Sequence, residues 1–189
     1  MLKDTCLFTL KGHTNWVMCV ERLPNGKICS GGADKCINVW DIMNKQECIK
    51  SMQDDSCVYC LKVLSSDSIA SGTRSGTISI WNFLSGRCLK TLTGHTHWVF
   101  GLEFTSRHQL LSCSSDQTIK KWDLEKGCCI QTLIGHTGRV NCIKLNRNEE
   151  LISSSEDKSI RIWDLNAGEC LKIIHTDSSV YMLELCSIF

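Results

Sequence analysis

Residues 94–123 read GHTHWVFGLEFTSRHQLLSCSSDQTIKKWD, and this stretch decides the fold because its pattern recurs along the chain. Its tryptophan is one of four that stand 41 residues apart, at Trp40, Trp81, Trp122 and Trp163. A serine and a valine recur at the same spacing in every unit, and a histidine recurs in three of them. A period of this length predicts an array of four-stranded modules, each of which buries its apolar face by stacking on a neighbour.

One period contains four short apolar segments separated by polar turns. In the third unit we predict strands at 99–104, 109–113, 118–123 and 128–133. Four antiparallel strands joined by tight turns form one blade of a β-propeller. We therefore predict an all-β chain, a β-propeller with four full four-stranded blades at 11–52, 53–93, 94–134 and 135–174.

The two ends of the chain predict partial blades, at residues 1–10 and 175–189. Residues 6–10 resemble the outermost strand at 88–92, and residues 177–183 resemble the innermost strand at 55–61. These two strands are not neighbours within a blade, so together they cannot complete one. We therefore expect an open arc or an incomplete ring.

Three arrangements would cover the exposed end blades of such an arc. The chain is part of a longer protein with further blades, two chains associate to close a larger ring, or the four blades close on themselves. The first is favoured, because residues 185–189 stop in apolar sequence without a polar cap.

The units resemble WD repeats. A Gly-His pair opens three of them at Gly12, Gly94 and Gly135, and a Trp-Asp pair ends the same three at Trp40, Trp122 and Trp163. The resemblance implies a buried, hydrogen-bonded tetrad of histidine, serine, aspartate and tryptophan in each of these blades. The implied tetrads are His13, Ser30, Asp34 and Trp40; His95, Ser112, Asp116 and Trp122; and His136, Ser153, Asp157 and Trp163.

Blade two departs from this pattern. Asp54 stands in place of the histidine, Ser75 in place of the aspartate, and Asn82 follows Trp81. We expect this blade to lack the tetrad and to be softer than its neighbours. Either these substitutions are tolerated drift, or the altered turns, which include Arg74, present a partner-specific surface.

Serine, histidine and aspartate are also the members of a hydrolase triad. A catalytic set occurs once per active site, whereas this set recurs three times at 41 residues, which predicts a structural role. No single unrepeated polar cluster stands out in the sequence. We therefore expect a protein that is not an enzyme, with no cofactor and no metal site.

The composition narrows the partners and the compartment. The chain has 21 basic and 20 acidic side chains, so no net field favours nucleic acid or an anionic membrane. No run of apolar residues is long enough to span a membrane. The 14 cysteines are spread over the modules, which predicts packing between blades and a reducing compartment, the cytoplasm or the nucleus.

The resemblance implies a rigid disc that binds a protein or peptide on one face, that is, a non-enzymatic scaffold. Candidate contact residues precede the innermost strands or lie in the turn before the third strand: Trp16, Trp98, Arg139, Arg74 and Glu156. Tryptophan and arginine dominate binding hot spots. Similar repeats also occur in substrate receptors of ubiquitin ligases, where Arg74 and Arg139 would read a phosphorylated or acidic peptide. Self-association or missing blades in a longer chain are further possible partners.

Overall fold

A computed structural model describes residues 6, 8–44 and 47–184. Within them the chain forms four antiparallel sheets of four strands each. Blade one contains β1 (Val17–Arg22), β2 (Ile28–Gly32), β3 (Cys36–Asp41) and β4 (Glu47–Gln53). Blade two contains β5 (Val58–Val63), β6 (Ser68–Thr73), β7 (Ile78–Asn82) and β8 (Arg87–Leu92). Blade three contains β9 (Val99–Phe104), β10 (Gln109–Ser114), β11 (Ile119–Asp123) and β12 (Cys128–Leu133). Blade four contains β13 (Val140–Leu145), β14 (Leu151–Ser155), β15 (Ser159–Asp164) and β16 (Glu169–His175).

The strands of each blade pair in chain order, from the innermost to the outermost. The innermost strands of successive blades contact one another, β1 with β5, β5 with β9 and β9 with β13. This arrangement confirms the predicted all-β array of propeller blades. In blade three the first and fourth strands have the predicted bounds, and β10 and β11 differ from prediction by one residue.

Three equivalent apolar clusters hold the blades together. We call the side of a blade that meets the preceding blade its front, and the side that meets the following blade its back. The clusters join the back of one blade to the front of the next. Between blades one and two the cluster contains Cys29, Ile37, Met52, Val58, Leu61 and Trp81. Between blades two and three it contains Ala70, Ile78, Leu92, Val99, Leu102 and Trp122. Between blades three and four it contains Leu111, Ile119, Leu133, Val140, Ile143 and Trp163.

The front of blade one has no such partner. Val17 and Val20 are 52% and 59% exposed, whereas their equivalents in blade three, Val99 and Leu102, are buried. The four blades therefore form an open arc, as predicted, and closure of the four blades on themselves is ruled out.

The end segments are not strands where they are described. Residues 6 and 8–10 adopt no regular structure, and neither do residues 177–184. Residues 1–5, 7 and 185–189 lie outside the described part of the chain. The expected end strands are thus wrong for the described residues, because a strand needs a paired neighbour and no described strand forms a ladder with these segments. The C-terminal segment does touch blade four, since the Val180 amide donates to the Ser155 carbonyl over 3.2 Å.

The cysteines follow the packing prediction only in part. All thirteen described cysteines are free thiols. Cys29, Cys60 and Cys113 are buried between blades, and burial raises the pKa of the Cys29 thiol to about 12. Cys6, Cys88 and Cys128, however, are exposed, so the prediction that the cysteines pack between blades is wrong at those positions. The outermost strands of a blade pack less tightly because one of their edges faces solvent.

Candidate functional site

A hydrogen-bonded tetrad of polar side chains links the strands within each of the first, third and fourth blades. In blade three, His95 Nδ1 lies 2.7 Å from Asp116 Oδ2, and its Nε2 lies 2.7 Å from Ser112 Oγ. Trp122 Nε1 donates to the same Ser112 oxygen over 2.8 Å. Blade four repeats these contacts among His136, Ser153, Asp157 and Trp163 at the same distances. Blade one repeats them among His13, Ser30, Asp34 and Trp40.

Burial separates these tetrads from a hydrolase site. Ser112 and Ser153 are fully buried, and each hydroxyl oxygen already accepts the indole N–H of its tryptophan. A nucleophile must reach its substrate, and these oxygens cannot be reached without unfolding the blade. Their hydrogen bonds instead satisfy buried polar groups that would otherwise cost about 1–3 kcal/mol each.

The tetrads also fix the charge of their carboxylates. Burial alone would raise the pKa of the Asp157 carboxyl, but hydrogen bonds from Ser159, His136 and the Thr137 amide outweigh it and lower the pKa to about 2. The pKa of Asp116 is lowered by the same balance, with His95 as the main hydrogen-bond partner. Burial lowers the pKa of His136, so its imidazole is neutral at pH 7. The blade-four tetrad is therefore a neutral histidine bonded to an ionised aspartate.

Blade two rebuilds the tetrad with different atoms, and the expectation that it lacks one is wrong. Trp81 Nε1 donates to Ser71 Oγ over 3.0 Å, and Ser71 Oγ donates to Asp54 Oδ2 over 2.5 Å. Asp54 is buried and also accepts from Ser79. Burial raises its pKa, and the hydrogen bonds from Ser71 and Asp55 only partly offset that effect. A carboxylate thus ends the chain of hydrogen bonds where the other blades continue through histidine.

A β-bulge recurs at the start of every innermost strand. In blade two the pairing of β5 with β6 skips Tyr59, so that Val58 meets Thr73 and Cys60 meets Gly72. The same irregularity falls at the equivalent positions of the other blades. Bulges turn a side chain away from the regular pleat. The residues that they turn out are Met18, Tyr59, Phe100 and Asn141.

Two of these bulge residues belong to a continuous contact surface across blades two, three and four. Tyr59 stacks on Trp98 with ring centroids 5.4 Å apart, and it meets Phe100 at 5.3 Å. The Arg74 guanidinium lies over the Trp98 ring, and that of Arg139 lies over the Phe100 ring, each 4.9 Å from the centroid. We call these five residues the aromatic face.

A groove extends the aromatic face onto blade one. It has a volume of about 370 Å³, and Trp16, Met18, Cys57, Tyr59 and Arg74 line it. Trp16 is 78% exposed, which is unusual for so large an apolar side chain. At the other end of the surface, Arg139 forms an ion pair with Glu156.

The structure thus brings the five residues proposed from the sequence to one end of the blades. Arg74 contacts Trp98, Arg139 pairs with Glu156, and Trp16 lines the same groove as Arg74. Sequence reasoning missed Tyr59 and Phe100, which join these pairs into one surface. The signal was present, because both belong to a column spaced 41 residues apart, one position after the valines.

The described part of the chain contains neither a cluster of metal ligands nor a membrane-spanning helix. No group of three or more histidine, cysteine or acidic side chains there could hold a metal ion. The same residues include no helix with the length and apolar character needed to cross a lipid bilayer.

Stacked four-stranded blades with a repeated buried tetrad define a repeat protein of the β-propeller class. The chain belongs to the WD40 family: the family model for the WD domain, G-beta repeat, matches residues 4–41, 46–82, 86–123 and 127–164. The four matches cover most of the sequence, and each ends with the third strand of one blade. The second, third and fourth matches begin at the outermost strand of the preceding blade.

Similarity to individual proteins covers a shorter segment. Nuclear distribution protein nudF 1 of Talaromyces marneffei is 40% identical over 53 residues. Nuclear distribution protein nudF 2 of Aspergillus clavatus is 38% identical, and nuclear distribution protein PAC1 of Arthroderma benhamiae 40% identical, each over 53 residues. The matched segment is 28% of this chain and spans only 12% of the length of each relative.

Proposed function

We propose that this chain is a non-enzymatic scaffold that binds a protein or peptide partner on its aromatic face. The observation that carries the proposal is the unbroken contact from Arg74 through Trp98, Tyr59 and Phe100 to Arg139. Aromatic rings and arginines are the side chains that contribute most to binding at protein interfaces. Here they come from three blades, so a partner would contact all three at once.

The state of these side chains supports the same proposal. Stacking on one another holds the rings in place before binding, which reduces the entropy lost when a partner is bound. Arg74 is exposed, and no hydrogen bond or ion pair to another described residue occupies its guanidinium. Its five N–H donors are therefore free to bind carbonyl or carboxylate oxygens of a partner.

The ubiquitin-ligase alternative finds no support. It needs two arginines free to bind a phosphate, whereas Arg139 is already paired with Glu156. The similar proteins are named nuclear distribution proteins, and a similarity over 53 residues does not identify a partner. The thirteen described free thiols support a reducing compartment, which we propose is the cytoplasm or the nucleus.

A displayed library of random peptides tests the proposal. Peptides selected on the full chain should bind it at least tenfold more weakly after Trp98→Ala or Arg139→Ala, measured by fluorescence polarisation. Leu84→Ala is the matched control, because Leu84 is 58% exposed in the turn at the opposite end of blade two. Peptides that lose affinity with Leu84→Ala and keep it with Trp98→Ala and Arg139→Ala would place the binding surface elsewhere.

A further inference from the structure

Both ends of the arc expose a blade side that is buried everywhere else. At the front of blade one, Val17 and Val20 are exposed, whereas Val140 and Ile143 at the front of blade four are buried. At the back of blade four, Ile174 is 40% exposed, whereas the equivalent Leu133 of blade three is 1% exposed. These two sides, one of each kind, therefore lack a facing blade.

The two free sides carry the same residue types as the two sides of each interface between neighbouring blades. Each of the three internal clusters joins a back, with an isoleucine at its centre, to a front with valine, a second aliphatic residue and tryptophan. The back of blade four offers Ile160 and Ile174, and the front of blade one offers Val17 and Val20 beside the buried Trp40. A fourth interface of the same composition would join them.

Charges on the innermost strands give the junction a direction. Glu103 accepts from Lys62 over 2.6 Å on one side and from Lys144 over 2.9 Å on the other. Glu21 occupies the equivalent position of blade one, so the sign of the charge alternates along the arc. If the front of blade one in one copy met the back of blade four in a second copy, Glu21 of the first would lie beside Lys144 of the second, and the alternation would continue. A front-to-front or back-to-back junction would bring like charges together.

From these observations we propose that two copies of this chain associate head to tail, with the front of blade one of each copy against the back of blade four of the other. The two arcs then supply eight blades, which lies within the range of about four to eight at which propellers close. Two head-to-tail junctions close the ring, and no fibre grows, when each four-blade arc spans half a turn.

The C-terminal segment must move for this junction to form. Val180 donates to the Ser155 carbonyl and accepts from the Asn141 amide over 2.9 Å, at the edge of blade four. There it occupies the place that the innermost strand of a following blade takes beside β2, β6 and β10. Association exchanges these two hydrogen bonds for contacts with β1 of the second copy.

Sedimentation velocity of the full chain tests the proposal. The expected species has twice the 21.3 kDa mass of one chain, at all concentrations well above the dissociation constant. Val20→Asp and Ile174→Asp, one on each free side, should each yield monomers that keep a native far-ultraviolet circular dichroism spectrum. Ile134→Asp is the matched control, because Ile134 is 77% exposed in the connection between blades three and four, and this variant should remain dimeric.

Three results would overturn the proposal: a monomeric wild-type chain, which would leave the free sides for further blades of a longer protein; oligomers that grow beyond two copies; or dimers that persist in both aspartate variants. If an aspartate variant does not fold, Glu21→Lys replaces it, with the exposed Glu169→Lys as its control. Glu21→Lys should weaken dimerisation at least tenfold, and an unchanged dissociation constant would rule out the head-to-tail polarity.

Discussion

Asp54 accepts the hydroxyl hydrogen of Ser71 over 2.5 Å, in the position where the imidazole of His95 meets Ser112 in the next blade. The two arrangements serve the same tryptophan, since Trp81 and Trp122 each donate to their serine. They differ in charge. In blade three the imidazole of His95 is bonded to an ionised aspartate, whereas blade two buries a single carboxyl with no cation bonded to it.

This difference predicts a pH dependence specific to blade two. The folded-state pKa of Asp54 is raised above its ordinary value of 3.8, chiefly by burial. The folded state then binds the proton more tightly than the unfolded state, so the contribution of Asp54 is fully present below pH 3.8 and is lost as pH rises through the folded pKa. The stability of the wild type relative to Asp54→Asn should therefore fall between pH 4 and pH 7.

Urea denaturation followed by tryptophan fluorescence measures that difference. Asp177→Asn, at an exposed position, serves as the control for the removal of one carboxyl. A constant difference between the wild type and Asp54→Asn from pH 4 to pH 7 would show that the carboxyl is not destabilised by burial.

Asp157 predicts the opposite trend in blade four. Its folded pKa is lowered from 3.8 to about 2, because the hydrogen bonds to its carboxylate outweigh burial. The contribution of such a group is present above pH 3.8 and is lost as pH falls towards 2. The wild type should lose stability relative to Asp157→Asn between pH 5 and pH 2.5 in the same urea titration. A difference that widens in acid would contradict the tetrad electrostatics.

The sequence predicts the strands well because both the 41-residue period and the alternation of apolar residues act locally. It does not predict the bulge at Tyr59, which depends on how β5 pairs with β6, and so the central part of the aromatic face was missed. It misled at Asp54, where a different residue type supplies the same acceptor for Ser71. The end segments failed for another reason, since a strand forms only where its neighbour is present.

The tetrad serine should matter most to stability. Ser112→Ala leaves both Trp122 Nε1 and His95 Nε2 buried without a partner, which should cost about 3 kcal/mol of unfolding free energy. Ser71→Ala should cost less, about 2 kcal/mol, because Asp54 keeps its bonds to Ser79 and to the Asp55 amide. Urea midpoints measure both, with the exposed Ser178→Ala as a neutral control. Equal losses for Ser71→Ala and Ser112→Ala would argue against the rebuilt network.

In every blade, one pair of facing residues in the first two strands joins a cysteine to a glycine or a serine. Cys60 pairs with Gly72 in blade two, whereas Gly101 pairs with Cys113 in blade three, so the glycine changes sides. The reason is space, because a Cβ on Gly72 would lie 2.5 Å from Cys60 Sγ and 2.7 Å from Val99 Cγ1. One sulfur fits between the sheets, and two would not.

A double-mutant cycle tests this packing rule. Gly72→Cys should destabilise blade two by about 1–3 kcal/mol through overpacking, and Cys60→Gly should destabilise it through the cavity left behind. The double variant exchanges the two residues and copies the arrangement of blade three, so it should lose at least about 1 kcal/mol less than the sum of the single losses. Free energies from urea denaturation under reducing conditions give the coupling. Strict additivity would mean that Val99, and not Cys60, sets the space available at Gly72.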